Sequence, residues 1–345
     1  MLRLPKFELA TPERIEDAVA LLARHGERAQ VLAGGTDLVP NMKHELFTPD
    51  VVVSLAGIPG LAGVESASDG SLVIGAMTTL DTLASHPLVR ARAPALAQAA
   101  SVISGPQLRR MGTLGGNVML DTRCQWYNQT YFWRSALGFC LKKDGTLCHV
   151  VAGGKKCVAA ASNDSAPALM TLGATLEFRG PNGRRTLPID ELYRADGIYN
   201  KRVQGEILTR VRVPPQRPGH RGAYGKLRER GSIDFPLLGI AARLELALPS
   251  GNGASRSGAI EDADVCAVAL QARPVRIQGA ADCLRGMLPG TSDFAAAVDE
   301  VAERARKQCH PLENIPGDAE YRRAMVPVYV RRTLRAAAEG GGPVE

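Results

Sequence analysis

The stretch VPPQRPG at residues 213–219 most limits what this chain of 345 residues can fold into. Proline lacks a main-chain N–H and fixes its own φ, so three prolines within seven residues interrupt both a helix and a central strand. A chain of this length also has room for more than one hydrophobic core. We therefore predict a boundary between two structural units near residues 214–220.

The two sides of this boundary have different patterns. Before it, short helical and strand-like segments alternate: a helix capped by Thr11 with Pro12 in its first turn and stopped by Gly26, then a short buried strand at Val31 and Leu32. After it, strand-like stretches at 222–230, 237–248 and 263–272 precede helical patterns at 279–288, 293–308 and 319–337. We predict an α+β protein.

Charge and hydropathy argue against several classes of protein. The net charge is +7, but the basic residues occur as scattered pairs and no nucleic-acid-binding motif accompanies them. An anionic cofactor or an acidic partner explains the charge equally well. The sequence has no apolar run long enough to cross a bilayer and no signal-peptide core near its first residue. We expect a cytoplasmic protein that binds neither nucleic acid nor membrane.

Two glycine loops are the first candidates for ligand binding. AGGTD at 33–37 follows a predicted strand, and MGTLGGN at 111–117 follows a predicted helix. Paired glycines permit positive φ and let a pyrophosphate approach main-chain N–H groups closely. Neither the Rossmann fingerprint nor a P-loop occurs, so any nucleotide must be held in another way. Each loop taken alone is also explained as an ordinary turn.

Five sequence blocks resemble one protein family, in the family's own order. They are VLAGGTDL (31–38), SGPQLRRMGTLGGNV (104–118), NDSAPALMTLGA (163–174), YGKLRERGSIDFPLLGIAA (224–242) and YRRAMVPVYVRR (321–332). They are similar to the FAD-binding medium subunits of the molybdenum hydroxylases, a family that includes xanthine dehydrogenase and carbon monoxide dehydrogenase. The resemblance implies a two-part α/β FAD-binding domain of the PCMH type, followed by a domain of antiparallel sheet and helices.

The resemblance also implies domain limits. The FAD-binding domain would span 1–216, with subdomains 1–56 and 57–216 and the FAD in the crevice between them. A C-terminal α+β domain would span 217–338, and residues 339–345 would form a flexible tail.

Individual cofactor contacts follow from the same resemblance. Asp164 would accept a hydrogen bond from a sugar or ribityl hydroxyl, and Lys226 would lie near the flavin ring. For Asp164 the alternative is a helix cap, and for Lys226 a surface lysine in an exposed strand. Ile103 and Leu208 would pack on the cofactor. The diphosphate and ribityl chain would be cradled by Val31, Leu32, Ala33, Gly34, Gly35, Thr36, Asp37, Leu38, Thr113, Leu114, Gly115, Gly116 and Asn117.

The segment between the second glycine loop and Asp164 is unusually rich in cysteine and aromatic residues. It separates Asn117 from Asp164 by 46 residues and contains four of the seven cysteines and both tryptophans. The four are Cys124, Cys140, Cys148 and Cys157. Their spacing matches neither a zinc knuckle nor the common ferredoxin runs, so unpaired structural cysteines remain an alternative. The other three, Cys266, Cys283 and Cys309, we interpret as structural.

Three features of this segment favour a four-thiolate site. Turn signals at Asp144-Gly145 and Gly153-Gly154 lie between successive cysteines, as a chain that folds back repeatedly requires. Six aromatic residues can exclude water from a metal cluster. Basic residues can offset the charge of four thiolates; they are Arg123, Arg134, Lys142, Lys143, Lys155 and Lys156.

The segment DTRCQWYNQTYFWRSALGFCLKKDGTLCHV (121–150) resembles the cluster-binding insertion in the beta subunits of 4-hydroxybenzoyl-CoA reductases. That resemblance implies an insertion at 121–160 and a [4Fe-4S] cluster on Cys124, Cys140, Cys148 and Cys157. It also implies partners: a molybdopterin-bearing large subunit, a [2Fe-2S] small subunit and a ferredoxin-like electron donor.

The sequence offers no molybdopterin site, so we assign no bond-making catalytic residue to this chain. Electrons would pass from the donor through the [4Fe-4S] cluster and FAD to the partner subunits, where 4-hydroxybenzoyl-CoA is dehydroxylated. Two alternatives stay open: a medium subunit of an oxidative molybdenum hydroxylase, and a zinc-stabilised binding module without redox activity.

Overall fold

A small parallel sheet forms the N-terminal unit of the computed structural model, which describes residues 2–249 and 257–344. Strand β3 pairs in parallel with β1 on one side and β2 on the other, so its residues Val51, Val52 and Val53 are buried. The elements are β1 (Glu8–Ala10), α1 (Ile15–His25), a 3-10 turn (Gly26–Arg28), β2 (Ala29–Leu32), α2 (Leu38–Lys43) and β3 (Val51–Ser54).

Two local predictions for this unit need correction. Helix α1 begins at Ile15 and not at Pro12, because Arg14 is still extended and the acidic residues Glu16 and Asp17 then fall in the first turn, where the helix dipole favours them. The stop at Gly26 is confirmed, with a φ of 59°. Strand β2 is half-buried at Val31 and Leu32, because it lies at the edge of the sheet.

The second unit is built on a five-stranded antiparallel sheet with the strand order β4-β5-β8-β6-β7. Short helices cover the sheet and place both the second glycine loop and the cysteine-rich segment. The strands are β4 (Val64–Ser66), β5 (Leu72–Gly75), β6 (Thr175–Gly180), β7 (Gly183–Pro188) and β8 (Ile207–Val213). The helices are α3 (Leu80–Ser85), α4 (Pro87–Arg92), α5 (Pro94–Val102), α6 (Pro106–Arg109), α7 (Leu114–Val118), α8 (Tyr131–Ala136), α9 (Ser165–Thr171) and α10 (Ile189–Leu192).

The cysteine-rich segment leaves and rejoins this unit at one point. Arg123 and Ala160 exchange two main-chain hydrogen bonds of 2.8 and 2.7 Å, which close the base of the loop. Between them lies the short helix α8, capped by the side chain of Thr130. The remaining turns use positive φ at Phe139, Asp144 and Gly153, in line with the predicted reversals of the chain.

The C-terminal unit consists of a four-stranded antiparallel sheet covered by two long helices. The sheet runs β12-β11-β10-β9, and the apolar faces of the helices pack on β9, β10 and β11. Its elements are β9 (His220–Leu227), β10 (Leu238–Leu246), β11 (Ile260–Val268), β12 (Val275–Arg276), α11 (Ala280–Leu284), α12 (Ser292–Gln308) and α13 (Ala319–Glu339). The fold is therefore α+β with two units before the proline-rich joint and one after it.

The end of the chain returns to this sheet. Helix α13 continues through Glu339, and beyond it Val344 pairs with the edge strand: its N–H donates to Tyr224 O and its carbonyl accepts from Lys226 N–H, both at 2.9 Å. Glu345 lies outside the described residues. None of the described helices is long and apolar enough to span a membrane.

Candidate functional site

The two glycine loops lie against each other. A Cβ placed on Gly34 would lie 1.7 Å from the carbonyl oxygen of Met111, and one on Gly112 would lie 3.4 Å from Thr36 Oγ1. Only a residue without a side chain allows the first loop to approach the second this closely. Residues 31–39 are half-buried, so the first loop keeps one accessible side. The structure thus brings the two sequence-predicted loops into one site.

The second loop is fixed by hydrogen bonds to the end of β5. The N–H of Gly115 donates to Ala76 O at 2.7 Å, and the N–H of Leu114 donates to Thr78 O at 2.9 Å. Thr113 caps the short helix α7 by accepting from the N–H of Gly116 at 3.1 Å. Gly116 is exposed, whereas Gly115 is buried against Ala76. Gly115 therefore allows the loop to pack against Ala76, whereas Gly116 lies on the exposed side of the loop.

The four cysteines of the insertion line one small cavity. Cys124, Cys140 and Cys157 are buried and Cys148 is half-buried, and all four thiols are free. The described residues contain no group of three His, Cys, Asp or Glu side chains placed to hold one metal ion, so the thiols surround a space rather than converge on a point. Apolar groups complete the wall: Trp126, Tyr127, Leu141, Val150, Val158 and Ala159. Leu46 belongs to the same buried cluster as three of the cysteines, Cys124, Cys140 and Cys157.

The wall of the cavity acts on the thiols in two opposing ways. Burial raises the pKa of the Cys124 thiol to about 11, and it also raises the pKa of Cys157. Main-chain N–H groups favour the thiolates: those of Trp126 and Tyr127 at Cys124, and that of Ala159 at 3.4 Å from Cys157 Sγ. A metal centre that binds thiolates must therefore displace protons from these sulfurs, with amide donors already in place.

A second loop of the chain holds Cys157 from outside the insertion. The carbonyl oxygen of Cys157 accepts from the N–H of Gly197 at 2.8 Å, and its own N–H donates to Asp196 Oδ1 at 3.2 Å. A Cβ on Gly197 would lie 2.9 Å from Cys157 Sγ and 3.0 Å from Thr122 Oγ1. Gly197 is thus required by the close approach of its main chain to the sulfur.

The cavity and the glycine loops share a short connecting segment. This segment consists of residues 121–123 and directly precedes Cys124. Arg123 forms an ion pair with Asp37 of the first glycine loop, with Nη1 3.2 Å from Oδ1. Burial raises the pKa of Asp37, and the positive charge of Arg123 opposes this rise. The guanidinium of Arg123 also lies 3.9 Å from the ring centre of Phe235 in the C-terminal unit.

Comparison with known proteins identifies the family. Residues 5–216 match the family model described as "FAD binding domain in molybdopterin dehydrogenase", and residues 223–337 match "CO dehydrogenase flavoprotein C-terminal domain". The chain belongs to the FAD-binding medium subunits of the molybdenum hydroxylases.

Individual relatives match over almost the full length. The carbon monoxide dehydrogenase medium chain of Hydrogenophaga pseudoflava is 33% identical over 334 residues, which covers 96% of this chain and 97% of that one. The nicotine 6-hydroxylase medium subunit of Paenarthrobacter nicotinovorans is 29% identical over 334 residues, covering 96% and 98%. Among solved structures, a Cu,Mo-CO dehydrogenase chain superimposes with a TM-score of 0.78 at 29% identity, covering 98% of this chain and 100% of that one.

As a member of this family, the chain binds FAD, and the glycine loops fit that ligand. Two loops with little side chain meet at one half-buried edge, where a dinucleotide can approach the main chain closely. Thr36 and Thr113 lie in the loops themselves, and Asn117 is half-buried at the end of the second loop. Asn117 Oδ1 already accepts from Ser165 Oγ at 2.6 Å, which joins the loop to α9.

Asp164 and Lys226, which were predicted to contact the sugar or ribityl hydroxyls and the flavin ring, contact each other. Their side chains are 3% and 0% exposed, and Lys226 Nζ lies 3.2 Å from the Asp164 carboxylate. Tyr224 donates its hydroxyl to Asp164 Oδ1 at 2.8 Å. Lys226 also donates to the carbonyls of Val102 at 3.1 Å and Asp234 at 3.0 Å. Asp164 makes no side-chain cap bond, and Lys226 is not on the surface, so neither alternative predicted from the sequence is observed.

Ile103 and Leu208 belong to the core of the second unit. Both are largely buried, at 8% and 5% exposure, in the cluster that α5 and the sheet form. Ile103 directly follows α5 and adjoins Val102, the acceptor of Lys226.

Several residues at the two sites were not predicted from the sequence. Leu46 follows α2 and Gly197 follows α10, whereas Tyr127 is one of the six aromatic residues already predicted to exclude water from a metal cluster. The first two come from segments remote in the chain, with no motif to mark them. Asp121 could have been recognised from the sequence, because it closely precedes an Arg-Cys pair at the start of the insertion.

Proposed function

We propose that this chain carries a [4Fe-4S] cluster as well as FAD, and that it transfers electrons in a molybdenum-containing reductase that dehydroxylates 4-hydroxybenzoyl-CoA. The observation that carries the proposal is the cavity lined by Cys124, Cys140, Cys148 and Cys157. Four thiols around one space, with apolar walls and main-chain N–H groups directed at sulfur, are the donor set that an iron–sulfur core requires.

The cluster would be held by the four thiolates, and the FAD by the two glycine loops. When bound, an iron–sulfur core passes single electrons and a flavin stores a pair, which matches a one-electron donor to a two-electron reaction. The protein contributes the geometry: Gly34 and Gly115 set the loop positions, and Arg123 fixes the insertion to Asp37 of the first loop.

The predicted contacts of Asp164 and Lys226 with FAD remain part of the proposal. Their network ties together the end of α5, strand β9 and the loop at Asp234. A buried ion pair with every polar group satisfied resists movement, because breaking it leaves an unpaired charge in the interior. We propose that the pair positions this edge of the FAD site, with Ile103 and Leu208 packed beneath it.

Electrons would enter at the insertion and leave through partner subunits. The insertion exposes Phe132, Tyr131 and Leu147, which are 82%, 47% and 53% exposed. Lys155 and Lys156 are also exposed, and Lys143 is partly exposed. Such a surface suits an acidic, ferredoxin-like donor. The acceptors would be a [2Fe-2S] small subunit and a molybdopterin-bearing large subunit.

A second candidate has support of a different kind. The relatives named above are a carbon monoxide dehydrogenase and a nicotine hydroxylase, so the chain can equally be the medium subunit of an oxidative molybdenum hydroxylase. The two candidates differ in the direction of electron flow. The zinc-stabilised module without redox activity is the third candidate, and elemental analysis distinguishes it.

The test uses the purified complex. Iron and acid-labile sulfide are measured together with zinc and FAD, and the complex is then assayed with reduced viologen plus 4-hydroxybenzoyl-CoA, and in the oxidative direction with an artificial acceptor. We expect about four iron atoms beyond those of the partner subunits, and substrate-dependent oxidation of the viologen. Zinc in place of this iron would refute the cluster, and activity only in the oxidative direction would establish the second candidate.

A further inference from the structure

The basic residues of the insertion differ in what they contact. Lys142 alone among the lysines lines the cavity, and its side chain is 6% exposed. The adjacent Lys143 is 37% exposed and pairs with Asp144, while Lys155 and Lys156 are exposed. Arg134 is buried but is not among the residues that line the cavity; it donates to the carbonyl of Glu45 at 3.0 Å.

The ammonium group of Lys142 is held in one position. Nζ donates to Asp121 Oδ1 at 2.7 Å and to the carbonyl and hydroxyl oxygens of Thr122 at 2.9 and 2.5 Å. It lies 4.4 Å from the ring centre of Tyr127, whose hydroxyl donates to Asp121 Oδ2 at 3.1 Å. All three donors are used and the ring covers the group, so a large side-chain movement would break several contacts at once.

An apolar side chain of similar volume could fill the space that Lys142 occupies, so packing alone does not explain a buried cation here. An ammonium taken out of water is costly unless it is paired, and a buried pair is often no more stable than apolar side chains of the same volume. Asp121 is 31% exposed and so is partly solvated, whereas Lys142 is almost fully buried. Lys142 thus places the positive charge of the pair at the wall of the cavity that the thiols line, in surroundings of low dielectric, and the negative charge is nearer to water.

We infer that Lys142 sets the reduction potential of the centre held by the four cysteines, by supplying a fixed positive charge at the cavity wall. The inference rests on the proposed function. Reduction adds one negative charge to a centre that four thiolates already make anionic, and a fixed cation beside it stabilises the reduced form more than the oxidised form. Removing the charge should therefore make the centre harder to reduce.

The experiment is a redox titration of the purified complex, followed by EPR for the cluster and by absorbance for the flavin. In Lys142→Gln, which keeps a hydrogen-bonding side chain, we expect the equilibrium constant for reduction of the cluster to fall about tenfold, which is a shift of about 59 mV for one electron. Lys142→Arg keeps the positive charge, so its cluster should have a reduction potential close to that of the wild type. Lys143→Gln is the matched control, and its cluster should titrate as in the wild type.

The outcomes separate the two claims. If the wild type lacks cluster iron, the proposed function fails and the inference fails with it. If iron is present but Lys142→Gln and Lys143→Gln titrate alike, only the inference is overturned. If Lys142→Gln does not retain the cluster, the Asp121→Asn variant is titrated instead. This change leaves the charge of Lys142 unbalanced and should raise the equilibrium constant for reduction of the cluster. An unchanged or lower equilibrium constant refutes the inference.

Discussion

Replacing Gly115 by alanine should destabilise the FAD-binding domain, whereas the same change at the neighbouring Gly116 should not. A Cβ on Gly115 would lie 2.8 Å from Ala76 Cβ and 2.9 Å from Ala76 O, and both atoms belong to the end of the buried sheet. The two Cβ atoms must separate by at least roughly 0.7 Å to reach an ordinary carbon contact of about 3.5 Å. A Cβ on Gly116 meets only Thr113 Oγ1, at 3.1 Å.

The size of the effect follows from three contributions. Overpacking costs about 1–3 kcal/mol. Lengthening the 2.7 Å bond from Gly115 N–H to Ala76 O costs about 1 kcal/mol more. The higher helix propensity of alanine returns about 1 kcal/mol at either position. We expect Gly115→Ala to lose about 1–3 kcal/mol of unfolding free energy and Gly116→Ala to change by less than about 1 kcal/mol.

Tryptophan fluorescence provides the assay, because Trp126 and Trp133 are the only tryptophans and both lie in the insertion. For a domain of about 200 residues each kcal/mol corresponds to about 2–4 °C in Tm. FAD content, measured on the same preparations, should fall in Gly115→Ala and stay near wild type in Gly116→Ala. Equal Tm values for the two variants would show that the contact with Ala76 does not constrain the loop, and would refute this reasoning.

Further predictions concern the cysteine thiols, Gly197 and His220, whose ring nitrogens are buried. Cys140→Ser should lose the cluster iron but keep most of the FAD, because the glycine loops lie outside the insertion; full iron retention in elemental analysis would contradict the ligand assignment. Gly197→Ala should lower the iron content as well, since its Cβ would lie 2.9 Å from Cys157 Sγ. The control is Gly231→Ala, where a Cβ meets nothing within 4 Å and φ is not positive, and the measurement is iron per chain in the two variants. Burial lowers the pKa of His220 to about 4 from 6.5, so the unfolded chain binds the proton more tightly and stability should fall as the pH drops from 6.5 to 4, by up to about 3 kcal/mol. His220→Phe should flatten this part of the urea-unfolding profile; an unchanged pH dependence would exclude a neutral buried imidazole.

Local patterns in the sequence predicted the elements of the fold well. The stop at Gly26 and the long helices α12 and α13 follow from residue types that act within a few positions of themselves. The start of α1 was wrong because Pro12 and Ile15 both offer acceptable first turns, and the acidic residues Glu16 and Asp17 decide between them.

The candidate sites could be predicted only where their chemistry is concentrated in a short segment. The four cysteines stand within 34 residues, so their meeting in one cavity was expected. The pairing of Asp164 with Lys226 joins residues 62 positions apart, and no local pattern shows that two charged side chains will face each other in the interior. The same limit applies to Leu46 and Gly197, which lie against the cysteines but come from other parts of the chain.

The insertion is joined to both domains, and these contacts bear on the proposed electron transfer. The N–H of Gln125 donates to Asn314 O at 2.7 Å, and Asn314 in turn donates from its side chain to Val158 O, so both flanks of the cavity are bonded to one residue of the C-terminal domain. Ala161 exchanges main-chain bonds of 2.9 and 2.8 Å with Gln271 and Ala269 of that domain. An autonomous metal-binding finger would need no such contacts. Because the thiols are held by the same frame that positions the glycine loops, the fold fixes the distance between the cavity and the proposed FAD site, as the proposed electron transfer between two centres would require.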